Sequence, residues 1–330
     1  MESNVPFQEP APRVGTSAPS RNRRTVPVAA IITTFNGRTR GFVEKAIQSV
    51  LDQTVIPEEF VIIDDGSQDG TADWIRSRHP QLRVIFKTNG GPASARNRGA
   101  KETTSPYLCF LDDDDMWLPH KLERQFEVIS RPGAPDLYFS AATFINERDE
   151  ETGGWIPANV AYEWPQVLLL NPIISPCCAM IRRQAFVDAG GFNEAPDHKF
   201  VEDYDLWIRI ARGHRMDSSP EPLTHYRQHG SQNSGNYVTM VAKVLPIVRA
   251  YAAELSGFDP RRVVVHQIYG HALYAWAVLG RSAATEILRM NTTGKWFPRV
   301  LLFRIAGVAL RRFRTAQRAW RDYEFRRLFA

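Results

Sequence analysis

The chain has 330 residues, 43% of them hydrophobic and 23% charged; this ordinary globular composition suits about two domains, supplies a sizeable core and excludes whole-chain disorder. Its net charge of +5 is uneven: nine Arg and one Lys against Asp322 and Glu324 give residues 295–330 a net +8, leaving −3 for the rest, so no nucleic-acid partner is expected. No run of about 18 apolar residues exists, so no spanning helix is expected, and three cysteines without CxxC spacing (Cys109, Cys177, Cys178) suit a reducing compartment rather than a disulfide framework.

Residues 1–25 carry Pro6, Pro10, Pro12 and Pro19 among Ser, Arg and Asn, and lack the apolar core of a signal peptide. A disordered leader on a cytoplasmic chain is expected. From Val28 the pattern alternates. VAAIITT at 28–34 reads as a strand covered on both faces, and Val43, Ala46, Ile47, Val50 and Leu51 recur at helical spacing. FVIIDD at 60–65 reads as a second strand, followed by a helix to about Arg78; residues 84–86 make a third. A Gly-rich turn at 89–92 leads into a helix from Ala93, and YLCFL at 107–111 is a fourth strand, stopping at four consecutive aspartates. This βαβαβαβ order predicts an α/β fold with a doubly wound, mostly parallel sheet flanked by helices. Further strands are expected at 137–145 and 179–181, a helix at 200–212, and helices from about Met240 onward. The expected divisions are therefore 1–25, 26–237 and 238–330.

Ligands of such sheets sit beyond the carboxyl ends of the strands, where Asp64, Asp65 and Asp112 to Asp115 fall. Four adjacent carboxylates repel one another at a strand end, and a divalent cation removes that cost; hard oxygen ligands suit Mg²⁺ or Mn²⁺. In extended backbone Asp112 and Asp114 point the same way and can grip one ion. Asp65 can accept hydrogen bonds from a ribose or base, or the Asp64-Asp65 pair simply caps the following helix. Asn89 and Gly90, with Arg96, can lie against a pyrophosphate. Asp203 is the candidate general base, against a plain helix-N-terminal acid. His229 can reach a metal or a diphosphate, although a lone histidine is more often structural.

The ordered set ITTFN (32–36), SVLDQT (49–54), VIIDDGSQDGT (61–71), NGGPASARNRGA (89–100), YLCFLDDDDMWLPHKLE (107–123), GGFNE (190–194), EDYDLW (202–207) and YRQHGSQNS (226–234) resembles the inverting family 2 glycosyltransferases of GT-A fold. The resemblance implies metal-dependent transfer of a sugar from a nucleotide-diphosphate sugar to a glycan or lipid-linked hydroxyl acceptor. Residue by residue, it implies that Thr33, Phe35 and Asp65 bind the nucleoside, and that Arg96 lies near the diphosphate. Asp113 touches the ribose, Asp112 and Asp114 hold the metal with His229, and Asp203 is the base. Phe35 replaces a frequent Tyr, and Asp113 a small residue. A nucleotidyltransferase would need a basic Gly loop that ITTFNGRTR lacks, and an inactive scaffold should have lost an acid at 112, 114 or 203.

Leu302, Ile305, Ala306, Ala309, Leu310, Phe313, Ala316, Trp320 and Tyr323 follow helical spacing opposite Arg304, Arg311, Arg314, Arg318 and Arg321. This basic amphipathic helix predicts peripheral contact with an anionic membrane surface at the inner face of the cell membrane; the alternative is a helix packed on its own domain.

Overall fold

A computed structural model describes residues 23–155, 157, 162–169, 171–230, 237–256, 259–278 and 281–290. The expected leader up to residue 22 and the basic tail from residue 291 lie outside the described residues.

Strand β1 (Thr25–Thr34) begins inside the stretch assigned to the leader, with Val26 already buried. It pairs in parallel with β2 (Ile56–Asp64) and β4 (Tyr107–Asp112), and β2 pairs in parallel with β3 (Arg83–Phe86). Helices α1 (Gly37–Arg40), α2 (Val43–Leu51), α3 (Thr71–Arg78) and α4 (Pro92–Lys101) make the connections. Side chains of β1 alternate between two cores, as the pleat requires. Val28, Ala30 and Ile32 pack with Ile47 of α2, whereas Ala29 and Ile31 pack with Ala95 of α4. Burial on both faces is why the run 28–32 is continuously apolar.

The second half of the sheet is mixed. After β5 (Met116–Trp117) and α5 (Lys121–Ile129) come β6 (Leu137–Ile145), β7 (Glu151–Trp155), β8 (Ala179–Arg182), α6 (Arg183–Asp188), α7 (Glu202–Ala211) and β9 (Met216–Arg227). The strand order is β3-β2-β1-β4-β8-β6-β9-β5, with β7 pairing β6. Strand β8 runs antiparallel to β4 and β6, while β9 runs parallel to β6. The twelve-residue β9 carries no strand signal in the sequence because Pro220 and Pro222 interrupt it. The ladder accommodates them by slipping register around Ala141, opposite Ser219 to Thr224.

Helices α8 (Tyr237–Ala253), α9 (Pro260–Val278) and α10 (Arg281–Arg289) complete the described chain. They share a small cluster around Val241, Ile268 and Ile287, but Val244, Val248 and Val263 belong to the main core. The Tyr251 hydroxyl donates to Asp205 at 2.8 Å, and Gln267 Nε2 donates to the Tyr204 hydroxyl at 2.9 Å. Both contacts brace α7.

Candidate active site

The parallel strands end level with one another, and that registry builds the site. Thr34 pairs with Asp64 and Thr33 with Asp112, while the Asp65 amide donates to the Thr34 carbonyl at 2.8 Å. Strand β1 stands between β2 and β4, so Asp65 and the aspartate tetrad flank its carboxyl end. Phe35 follows directly and is 43% exposed.

Asp65 is buried and saturated with donors. It accepts from Lys87 Nζ at 2.6 Å, from the Gly90 amide at 3.0 Å and from the Gly91 amide at 2.7 Å. Asn89 Nδ2 donates to the Asp65 carbonyl at 2.8 Å. A charge-assisted cradle of this kind fixes the Gly-rich turn against the end of β2.

The tetrad departs from the extended geometry expected of it. The Asp115 amide donates to the Asp112 carbonyl at 3.1 Å, closing a turn through residues 113 and 114. Side-chain alternation therefore stops at Asp112, and the four carboxylates face four surroundings. Asp112 meets the guanidinium of Arg96 at 2.7 and 2.9 Å and the Thr33 hydroxyl at 3.4 Å. Asp113 accepts from the Thr34 hydroxyl and lies 2.6 Å from Arg40. Burial pushes its carboxyl up to about 7; Arg40 opposes the shift and Asp114 adds to it. Asp114 lies 3.0 Å from His229 Nε2. Asp115 is 1% exposed, accepts from the Arg227 amide at 2.8 Å, and is pushed well above the carboxylate range by burial and by its acidic neighbours.

Arg227, fully buried, locks this turn from beneath. Its Nε donates to the Asp114 carbonyl at 2.8 Å, its terminal nitrogen donates to the Asn146 carbonyl at 2.7 Å and reaches Asp149 at 2.6 Å, and its guanidinium lies 4.5 Å from the Phe42 ring centre. Asp112, Asp115 and Cys177 each offer a ligand atom within 4.8 Å of the other two.

Arg96 joins the tetrad to α7. It is 5% exposed, pairs with Asp112, and donates to Glu202 at 2.9 Å, so its terminal nitrogens are engaged by protein carboxylates. Beside Glu202, at the start of α7, the Asp203 carboxylate accepts from the Tyr204 amide at 2.7 Å. Burial pushes Asp203 up to about 7, with the Glu202 charge adding to the shift and Arg96 opposing it. A carboxyl poised near neutrality is suited to general acid–base work.

Residues 29–190 match the family model "Glycosyl transferase family 2". Residues 29–190 are a glycosyltransferase family 2 domain. Over 216 residues, 64% of this chain and 82% of the relative, it is 28% identical to the putative teichuronic acid biosynthesis glycosyltransferase TuaG of Bacillus subtilis. Among solved structures it resembles S. aureus TarS in complex with UDP-GlcNAc, with a TM-score of 0.59, 15% identity and coverage of 76% of this chain and 74% of that one. It also resembles mannosyltransferase PcManGT from Pyrobaculum calidifontis in complex with GDP-Man and Mn²⁺, with a TM-score of 0.53, 19% identity and coverage of 92% and 84%. The fold is GT-A and the protein is a glycosyltransferase.

In this family 2 enzyme Thr33, Phe35, Asp65, Asn89 and Gly90 stand together at the ends of β1 and β2, and Asp112 to Asp115 stand with His229 across β1. Sequence reasoning assigned no role to Arg40, Lys87, Arg227 or Cys177, the groups that hold these acids in place. Nothing local in the YRQHGSQNS segment marks Arg227 as wholly buried. Among the described residues no helix is long and apolar enough to cross a membrane.

Proposed function

We propose that this glycosyltransferase transfers a sugar, with inversion, from a nucleotide-diphosphate sugar to a hydroxyl acceptor during synthesis of a cell-surface glycan. The observation that carries the reading is the continuous path Asp112–Arg96–Glu202–Asp203, which ties the acidic turn of β4 to the base on α7. The part of TuaG in teichuronic acid biosynthesis supports the cell-surface setting, and the UDP-GlcNAc bound by TarS supports the nucleotide-sugar donor.

Phe35 offers an exposed ring for stacking on a base, Thr33 lines the same strand end, and the Asp65 cradle orders Asn89 and Gly90 beside the nucleoside. Asp113 is the acid assigned to the ribose. Asp203 takes the proton of the acceptor hydroxyl as that oxygen attacks the anomeric carbon from the face opposite the departing diphosphate. Arg96 keeps Glu202, and with it the start of α7, in register with Asp112. The acidic turn fits a divalent cation, because it gathers the carboxylates of Asp112 and Asp114 with the His229 imidazole, 3.0 Å from Asp114, and carboxylate oxygens suit Mg²⁺ or Mn²⁺; PcManGT is described with Mn²⁺. Asp112, Asp114 and His229 are the assigned ligands, and a bound cation would neutralise charge on the departing nucleoside diphosphate. A lipid-linked acceptor at the inner face of the cell membrane, reached by the basic tail, completes the proposal on the strength of the sequence pattern.

Thermal-shift titration with UDP, GDP and their sugar conjugates, with and without Mn²⁺, tests the reading. A metal-dependent rise in melting temperature for one nucleotide class is expected. No shift with any of them would count against it.

A further inference from the structure

The start of α7 carries positive charge that the reaction outlined above does not use. Lys199 and Phe200 stand just ahead of Glu202 and Asp203, and Lys243 reaches over from α8. The Lys199 ammonium nitrogen lies 5.2 Å from the centre of the Phe200 ring, and that of Lys243 lies 5.5 Å from the same ring. Lys243 Nζ also donates to the Lys199 carbonyl at 2.8 Å. One ring thus gathers two like charges, which repel one another unless an anion joins them.

Two observations mark the arrangement as built for a ligand. Phe200 has a φ of 75°, a left-handed conformation that a bulky side chain adopts only where its surroundings force it. Glu202 supplies that force: one carboxylate oxygen accepts the Phe200 amide at 2.6 Å while the other accepts Arg96 at 2.9 Å. The contact that holds α7 against the acidic turn therefore also fixes the ring and its two lysines. Independently, the neighbouring acids are engaged elsewhere. Glu202 faces Arg96, Asp205 pairs with Arg209 at 2.6 Å, and Asp197 meets His198 at 2.9 Å. Among the described residues neither Lys199 nor Lys243 pairs with a carboxylate, and Lys199 is exposed.

Resting on the reading that Asp203 takes the acceptor's proton, we propose that Lys199 and Lys243 bind an anionic group of the acceptor, so that this enzyme glycosylates an acidic glycan. The charge recognised is that of a phosphate or a uronic carboxylate, since either presents oxygens to a compact ammonium with three donors. An anion seated between the lysines brings the acceptor to the end of α7 that carries Asp203. Phe200 is a positioning residue: its ring aligns the two ammonium groups and touches no reacting atom. A neutral glycan would leave both charges unmatched, so the pair selects acceptors by sign of charge.

The test is lysine footprinting of the full chain, with acetic anhydride as the reagent and mass spectrometry as the readout, in the presence of glucose, glucose 6-phosphate or glucuronate. Glucose 6-phosphate, glucuronate or both should slow acetylation of Lys199 and Lys243 at least about twofold once the site is half filled, with glucose giving no protection. The exposed Lys101 serves as the control and should react equally throughout. Protection by only one of the two acids names the group recognised. Lys199→Gln with Lys243→Gln should weaken calorimetric affinity for the protecting sugar at least about tenfold, and the corresponding pair of Arg substitutions should keep most of it. Phe200→Gly suits the left-handed backbone and should also weaken that affinity, with circular dichroism checking the fold of each variant. Equal reactivity with all three sugars, protection by UDP or GDP alone, or full affinity in the Gln pair overturns the proposal; the first two results need no variant to fold. Calorimetry of UDP-sugar and GDP-sugar binding with Mn²⁺ is run in parallel. Donor binding without lysine protection defeats the acceptor assignment alone, whereas no donor binding defeats the functional reading beneath it.

Discussion

Arg96 on α4 donates to Glu202 on α7 across 2.9 Å, in surroundings that leave each side chain about 5% exposed. Truncating one partner of a buried pair strands the other charge in a medium that solvates it poorly. Arg96→Ala strands both Asp112 and Glu202 and is expected to lower unfolding stability by about 3–5 kcal/mol. Arg96→Lys keeps the charge but not the fork that reaches two carboxylates, and should fall between. Urea midpoints of the two variants check the order.

Asp203→Asn removes the proposed base while keeping size and the Tyr204 amide contact. Turnover should fall by roughly 10²–10⁴, the usual contribution of a positioned proton acceptor. Nucleotide affinity, measured by calorimetry, should change less than about threefold, since Asp65 and the Asn89–Gly91 turn are untouched. Near-normal turnover would remove Asp203 from the mechanism.

Burial raises Asp203 and Asp113 to about 7 in the folded chain, whereas an unfolded aspartate titrates near 3.9. The folded state therefore holds protons that the unfolded state has released. Its advantage is complete below about pH 4 and is lost as pH rises through about 7. Stability should fall across that window by on the order of a few kcal/mol, and Asp203→Asn should flatten part of the slope. Activity runs the other way, rising as Asp203 loses its proton. Denaturation at pH 5 and pH 7.5 checks the first sign, and a pH–rate profile the second.

Gly37 sits where backbone, Thr34 and Asp113 converge. A β-carbon there would lie 2.7 Å from Asp113 Oδ2 and would also strike the Thr34 hydroxyl. Gly37→Ala should cost about 1–3 kcal/mol, as overpacking does elsewhere. It should also loosen the Thr34–Asp113 bond and weaken nucleotide binding. A melt and a nucleotide titration on the same sample show whether both effects appear together.

Vesicles report on the basic tail. The full chain should sediment with vesicles rich in anionic lipid, each Arg near the surface adding about 1 kcal/mol, and a chain ending at Asn291 should bind much more weakly. Equal sedimentation of the two would assign the tail another role.

The sequence by itself determined the alternation of strands and helices through β4 and the placement of Asp65 and the tetrad at strand ends, because both follow from local periodicity and from where an apolar run stops. It also marked Asp203 at the start of a helix, through the step from acidic to apolar residues at 202–207. It did not reveal β9, whose prolines hide a strand that its pairing with β6 and β5 stabilises. Tertiary structure alone decided how the acids are partnered. Arg40 reaches Asp113 across 73 positions, Arg96 reaches Glu202 across 106, and Arg227 reaches Asp115 across 112. The turn closing Asp115 onto Asp112 then gives each carboxylate its own surroundings. Burial and opposite charge set the state of an ionisable group, and both are supplied by residues that the chain brings near only when it packs.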